Sequence, residues 1–155
     1  MVQPDHEFWA EFLKWTHHRP DSMNVFRTQR ARPDVLGALR RLGTQHIVFQ
    51  LEQGWLVVGP TGVMVVACGA GDPLAASIWA CDRADQMRSD LALEMPWVPF
   101  VDALVVIDHV DEEVGALACG AVPCSMLRSS IMDGPHTVDD DSLARITRLA
   151  LHHRV

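Results

Sequence analysis

The stretch that decides the fold is Trp55-Leu-Val-Val-Gly-Pro-Thr-Gly-Val-Met-Val-Val-Ala-Cys68. Two almost wholly apolar runs, 55–58 and 63–68, flank a turn that contains one proline and two glycines. Apolar and β-branched runs around such a turn are typical of a β-hairpin. Because polar residues do not alternate with the apolar ones, we expect both strands to lie inside a sheet that is covered on both faces.

Further elements on both sides of the hairpin predict a mixed central sheet flanked by helices. Before the hairpin, the pattern predicts a short helix over Asp34–Leu42, bracketed by a proline and a glycine, and a strand over His46–Leu51. After it, the pattern predicts a helix, a strand, a short strand and two helices, which are Ala75–Met95, Val101–Ile107, a strand within Val114–Val122, Ser125–Met132 and Asp141–His153. This order predicts an α/β or α+β domain.

Length and composition fit one such domain. The chain has 155 residues, of which 48% are apolar, so it can bury a core without help from metals or disulfides. We assign residues 34–155 to the domain and residues 1–33 to an N-terminal helix followed by a connector. No apolar run approaches the length of a membrane span, and no secretory signal is visible. The sequence therefore predicts a cytoplasmic protein that makes no contact with a membrane.

The four cysteines fit a reducing compartment. They are Cys68, Cys81, Cys119 and Cys124. No pair has the short spacing of a zinc site, so we expect them to be thiols that pack as small apolar side chains in the core.

The hairpin resembles the central motif of the nuclease-related domain family, called NERD. The residues that carry the resemblance are the turn Gly59-Pro-Thr-Gly-Val63 and the apolar strands around it. The likeness continues through the alanine-rich helix, the next buried strand, the strand near Val122 and the two C-terminal helices, and it covers roughly residues 34–153. The family is similar in fold to PD-(D/E)XK nucleases, so the resemblance implies a restriction-endonuclease-like fold.

The catalytic residues of that family are missing from this sequence. The position of the metal-binding aspartate falls at Gly54, that of the second acidic residue at Ala67, and that of the lysine at Gly69. In the family, the carboxylates hold the divalent metal and the lysine positions or activates water. Alanine and glycine can do neither, so the resemblance predicts a nuclease scaffold without a working site and without a cofactor.

A migrated metal site is the alternative. Glu52 and Asp72 lie just outside the lost positions, and Asp102 stands at the start of the next strand. If two or three of these carboxylates converged, they could hold Mg²⁺ or Mn²⁺ and support cleavage of DNA. Acidic residues at strand ends are more often solvated, and no lysine lies near them.

DNA binding without cleavage is a further possibility. Residues 1–50 hold seven basic and five acidic side chains, whereas the whole chain has a net charge of −7. Arg30, Arg32, Arg40 and Arg41 are candidate contacts to phosphate. The net charge disfavours nucleic acid, and no aromatic residue interleaves with these arginines, so a solvated arginine-rich surface is the simpler interpretation.

The N-terminal helix, predicted over His6–His17, carries an aromatic face. Phe8, Trp9, Phe12 and Trp15 lie outside the NERD-like region, and tryptophan is enriched in protein interfaces. We therefore treat these four residues as candidate partner-binding residues. The leading hypothesis is a non-catalytic nuclease-fold domain, a pseudoenzyme that binds a protein partner or forms a homo-oligomer.

Overall fold

A five-stranded mixed sheet with helices on both faces forms around the hairpin. The structure is a computed structural model that describes residues 34–107 and 115–153. In chain order its elements are α1 (Asp34–Arg40), β1 (Ile47–Gln50), β2 (Gly54–Gly59), β3 (Gly62–Cys68), α2 (Pro73–Glu94), β4 (Val101–Ile107), β5 (Gly120–Pro123), α3 (Cys124–Met132) and α4 (Asp140–His153). The predicted α+β class with a mixed central sheet is confirmed.

Strand order follows the chain, β1-β2-β3-β4-β5. β1 pairs with β2, and β2 with β3, in antiparallel fashion. β4 is parallel to β3, and β5 is parallel to β4. A parallel neighbour requires a crossover connection, and α2 supplies it between β3 and β4.

The hairpin turn is tighter than four residues. Gly59 pairs with Gly62, which leaves Pro60 and Thr61 as the two residues of the loop. Gly62 has a φ of +129°, in the region that favours glycine, and a Cβ at this position would come within 2.4 Å of the Phe100 carbonyl oxygen. The Thr61 hydroxyl donates a hydrogen bond of 2.7 Å to the carbonyl oxygen of Ile131, so the turn is tied to the end of α3.

Apolar side chains fill both faces of the sheet, as the runs without alternation predict. On one face the core contains residues from α2 and α4, including Met87, Leu91 and Ile146. On the other face it contains residues from α1 and α3, including Leu39 and Leu127. Every residue of β2 is buried.

The long helix α2 begins at a capped N-terminus. The Asp72 carboxylate accepts a hydrogen bond of 3.0 Å from the Ala75 N–H, and Pro73 occupies the first turn. Both features favour a helix start, because the first N–H groups have no partner within the helix. One apolar residue of this helix, Ile78, is 47% exposed.

Several sequence predictions lie outside the described residues. They are the helix over His6–His17 and the rest of the segment 1–33. Among the described residues, no helix is both long and apolar enough to cross a membrane. All four cysteines are only partly buried, so they are less enclosed than a core position implies.

Candidate functional site

The three positions that the predicted NERD resemblance assigns to catalytic residues come together at one end of the sheet. Gly54 lies directly opposite Ala67 in the register of β2 and β3. Gly69 follows two residues later, and its N–H donates a hydrogen bond of 2.7 Å to the carbonyl oxygen of Val106. Alternate residues of a strand share a face, so Ala67 and Gly69 point the same way, toward the core under α2.

The space around these positions is filled. A Cβ on Gly54 would come within 2.1 Å of the Val66 carbonyl oxygen and 3.1 Å of the Trp79 ring. A Cβ on Gly69 would come within 2.8 Å of Val105 Cγ1 and 3.0 Å of the Val106 carbonyl oxygen. Ala67 is 0% exposed. The backbone therefore leaves no room here for an aspartate, a glutamate or a lysine.

The three carboxylates of the alternative metal site lie at opposite ends of the strands. Glu52 and Asp72 are exposed at the end that contains Gly54 and Gly69, where Asp72 caps α2. Asp102 pairs with Met64, near the start of β3, and so lies toward the opposite end of the sheet. Within residues 34–107 and 115–153, no three His, Cys, Asp or Glu side chains are grouped closely enough to hold a metal ion.

A cleft of about 460 Å³ opens at that opposite end, between the hairpin turn, β4 and the end of α3. Its walls are mainly apolar, with Met64, Leu104 and Ile131 among them. Asp102 is the single charged side chain among the described lining residues, and its Oδ1 accepts a hydrogen bond of 2.8 Å from the Ala103 N–H. A mainly apolar cleft with few polar groups is the usual form of a small-molecule site.

His46 packs against the hairpin turn near this cleft. A Cβ on Gly59 would come within 2.2 Å of the His46 ring. Both ring nitrogens are shielded from solvent, and within the described part of the chain neither makes a hydrogen bond of good geometry. Burial lowers the pKa of His46 and the charge of His136 lowers it further, while the nearby Leu42 backbone opposes the shift in part. Burial therefore disfavours the protonated form of His46.

A second polar cluster joins α2 to the residues before β5. The Ala118 N–H donates a hydrogen bond of 3.1 Å to the Ser77 hydroxyl, and the Cys81 thiol donates to the Ala118 carbonyl oxygen at 3.3 Å. Cys119 lies beside Cys81. Burial raises the pKa of the Cys119 thiol to about 12, and Cys81 and the charge of Asp102 add to the shift. A thiol with so high a pKa is a poor nucleophile at neutral pH.

The remaining candidate residues divide between exposed positions and the segment outside the described residues. Arg40 is the last residue of α1 and Arg41 follows it, and both are exposed. Arg30 and Arg32 belong to residues 1–33, as do the candidate partner-binding residues Phe8, Trp9, Phe12 and Trp15.

Comparisons with known proteins identify no relative of this chain. No family model, curated protein or solved structure matches the chain.

Sequence reasoning singled out Asp102 but missed the cleft around it. Thr61, Met64, Leu104 and Ile131 come from separate elements, and no spacing along the chain brings them together. His46 was also missed, because a single histidine at the start of a strand carries no signal of its own. The Gly-Pro-Thr-Gly turn is the one sequence signal near them, since the cleft and the His46 ring both lie against this turn.

Proposed function

We propose that this chain is a non-catalytic domain with a restriction-endonuclease-like fold, acting in the cytoplasm by self-association or by binding a protein partner. The observation that carries the proposal is the packing at Gly54, Ala67 and Gly69. At Gly54 the backbone of Val66 and the Trp79 ring occupy the space that the side chain of a catalytic aspartate would need. Such packing stabilises the scaffold, and it opposes any substitution that would place a metal-binding carboxylate at these positions.

Exposed apolar side chains support the interaction half of the proposal. Leu74 and Ile78 lie one turn apart on α2 and are 49% and 47% exposed. Trp97 and Phe100 are exposed to a similar extent. Neighbouring exposed apolar side chains mark interaction surfaces more often than isolated ones do. The aromatic residues Phe8, Trp9, Phe12 and Trp15 of the N-terminal segment remain part of the proposed partner surface.

Analytical ultracentrifugation of the full chain tests self-association. We expect the sedimentation coefficient to rise with concentration, and the rise to be lost in Leu74→Ser/Ile78→Ser or in Trp9→Ala/Trp15→Ala. Leu93→Ser is the matched control. Leu93 is 85% exposed on the same helix but lies near its other end, far from Leu74 and Ile78. A chain that stays monomeric at every concentration would contradict self-association.

A cleavage assay tests the absence of catalysis. We expect plasmid and linear DNA to stay intact in Mg²⁺ and in Mn²⁺. Cleavage that disappears in Glu52→Ala or Asp72→Ala would overturn the proposal and establish a migrated nuclease site. Asp82→Ala serves as the control for loss of an exposed carboxylate elsewhere on α2.

A further inference from the structure

We propose that the cleft beside the hairpin turn binds a small organic amine, a protonated amino group carried on an apolar body such as an aryl-alkyl chain. The site is separate from the degenerate nuclease positions, because it lies at the other end of the sheet. The inference does not rest on the proposed assembly function, although Phe100 belongs to both surfaces.

The walls of the cleft select for an apolar body. Val57, Met64, Leu104 and Ile131 line it from β2, β3, β4 and α3, and Phe100 stands at its edge, 56% exposed. A volume of about 460 Å³ lies within the range of small-molecule sites. Burying apolar surface contributes about 25 cal/mol per Å², so an apolar body gains from entering the cleft.

The polar groups of the cleft select for a positive charge. The Thr61 hydroxyl donates to the Ile131 carbonyl oxygen, and the Ser130 hydroxyl donates to the Met126 carbonyl oxygen at 2.7 Å, so the protons of these two hydroxyls are already used. Asp102 contributes a carboxylate, whose two oxygens offer more acceptor sites than the Ala103 N–H occupies. At Asp102, Thr61 and Ser130 a ligand therefore meets acceptors, which suit an ammonium group and repel a carboxylate or a phosphate.

A divalent metal fits this cleft less well than an amine does. Asp102 is the one carboxylate among the described lining residues, and Mg²⁺ and Ca²⁺ require several oxygen ligands in a defined geometry. An ammonium group needs only a few acceptors, and one charge-assisted hydrogen bond can orient it.

Titration with 2-phenylethylamine tests the proposal. In ¹H–¹³C spectra of the methionine methyl groups, we expect a saturable shift of the Met64 signal. The Met87 signal should not move, because Met87 is buried in the core on the other face of the sheet. The neutral analogue 2-phenylethanol should bind about tenfold more weakly, as expected for loss of one hydrogen bond to a charged group. The anion 3-phenylpropanoate should not bind.

Two variants separate charge from shape. Asp102→Asn keeps an acceptor oxygen for the Ala103 N–H and removes the charge, so affinity for the amine should fall about tenfold while affinity for the alcohol is unchanged. Thr137→Trp places a large ring at the exposed rim and should block both ligands. Asp82→Asn, which makes the same change in net charge on α2, should bind like the native chain.

Three results would overturn the proposal. They are the absence of a saturable Met64 shift, equal affinities for the amine and the alcohol, and equal losses of amine affinity in Asp102→Asn and Asp82→Asn. The last result would mean that the net charge of −7 attracts amines without a site. Thermal unfolding of each variant shows whether it is folded before binding is compared.

Discussion

At the scale of single residues, Gly54 shows how close packing excludes any larger side chain from the end of β2. Its missing side chain is a requirement of packing, because the Val66 carbonyl oxygen stands 2.1 Å from the place of a Cβ. Restoring one family residue would therefore demand movement of a central strand. Under the proposed assignment, the missing carboxylate and the close packing are the same feature at this position.

Gly54→Ala should destabilise the protein. We expect a loss of about 2–4 kcal/mol in the free energy of unfolding, since the backbone of β3 must shift to admit the methyl group. Urea denaturation followed by tryptophan fluorescence measures it. Gly37→Ala is the matched control, because nothing lies within 4 Å of its Cβ position in α1, and it should be neutral or stabilising. Equal effects of the two substitutions would contradict the packing argument.

His46 makes stability depend on pH. Its pKa in the folded protein is lowered, so below the ordinary value of 6.5 the unfolded chain binds a proton that the folded chain resists. The free energy of unfolding should therefore fall as the pH drops from about 7 through 6.5 toward the folded pKa. His46→Gln should flatten this dependence in denaturation curves recorded across that range.

A control separates His46 from its neighbour. His136 adds to the shift only through its charge, so His136→Gln should reduce the pH dependence slightly and leave most of it in place. If His136→Gln removed the whole effect, burial of His46 could not be its main cause.

At the scale of elements, Asp72 has a structural role at the N-terminus of α2 that requires no metal. Its carboxylate accepts a hydrogen bond from the Ala75 N–H. From the sequence alone, an aspartate that follows a strand is equally compatible with helix capping and with metal binding. Asp72→Ala should cost about 1 kcal/mol of unfolding free energy, whereas Asp72→Asn should cost little, because asparagine caps helices nearly as well. Thermal unfolding compares the two. Similar losses in both variants would indicate that the charge, rather than the cap, stabilises α2.

The elements that could be predicted from the sequence are those whose patterns are local. The strand Val101–Ile107 has the predicted bounds, since its apolar run is bracketed by breaks. α2 begins two residues before the predicted start at Ala75, because Asp72 caps the helix and Pro73 occupies its first turn. The cleft could not be predicted, because Asp102 and Ile131 meet only through the sheet and α3.

At the scale of the whole molecule, charge opposes contact with nucleic acid. A net charge of −7 repels the phosphate backbone, and Arg40 and Arg41 are two exposed cations among many carboxylates. We expect fluorescence anisotropy with a labelled duplex to show no saturable binding at low salt. Binding that weakens with salt, and weakens further in Arg40→Ala/Arg41→Ala, would instead support the DNA-binding alternative.

The pairing pattern of the sheet also has a consequence for the order of folding events. β2 and β3 meet across a two-residue loop, whereas β3 meets β4 only after the 22 residues of α2 have been placed. Closing a short loop costs less chain entropy than closing a long one, and hairpins form within microseconds. We expect the amides of 54–68 to gain protection from hydrogen exchange before those of 101–107 in pulse-labelled refolding. The hairpin would then be the nucleus on which the parallel half of the sheet is assembled, and substitutions in its turn would slow refolding more than they speed unfolding.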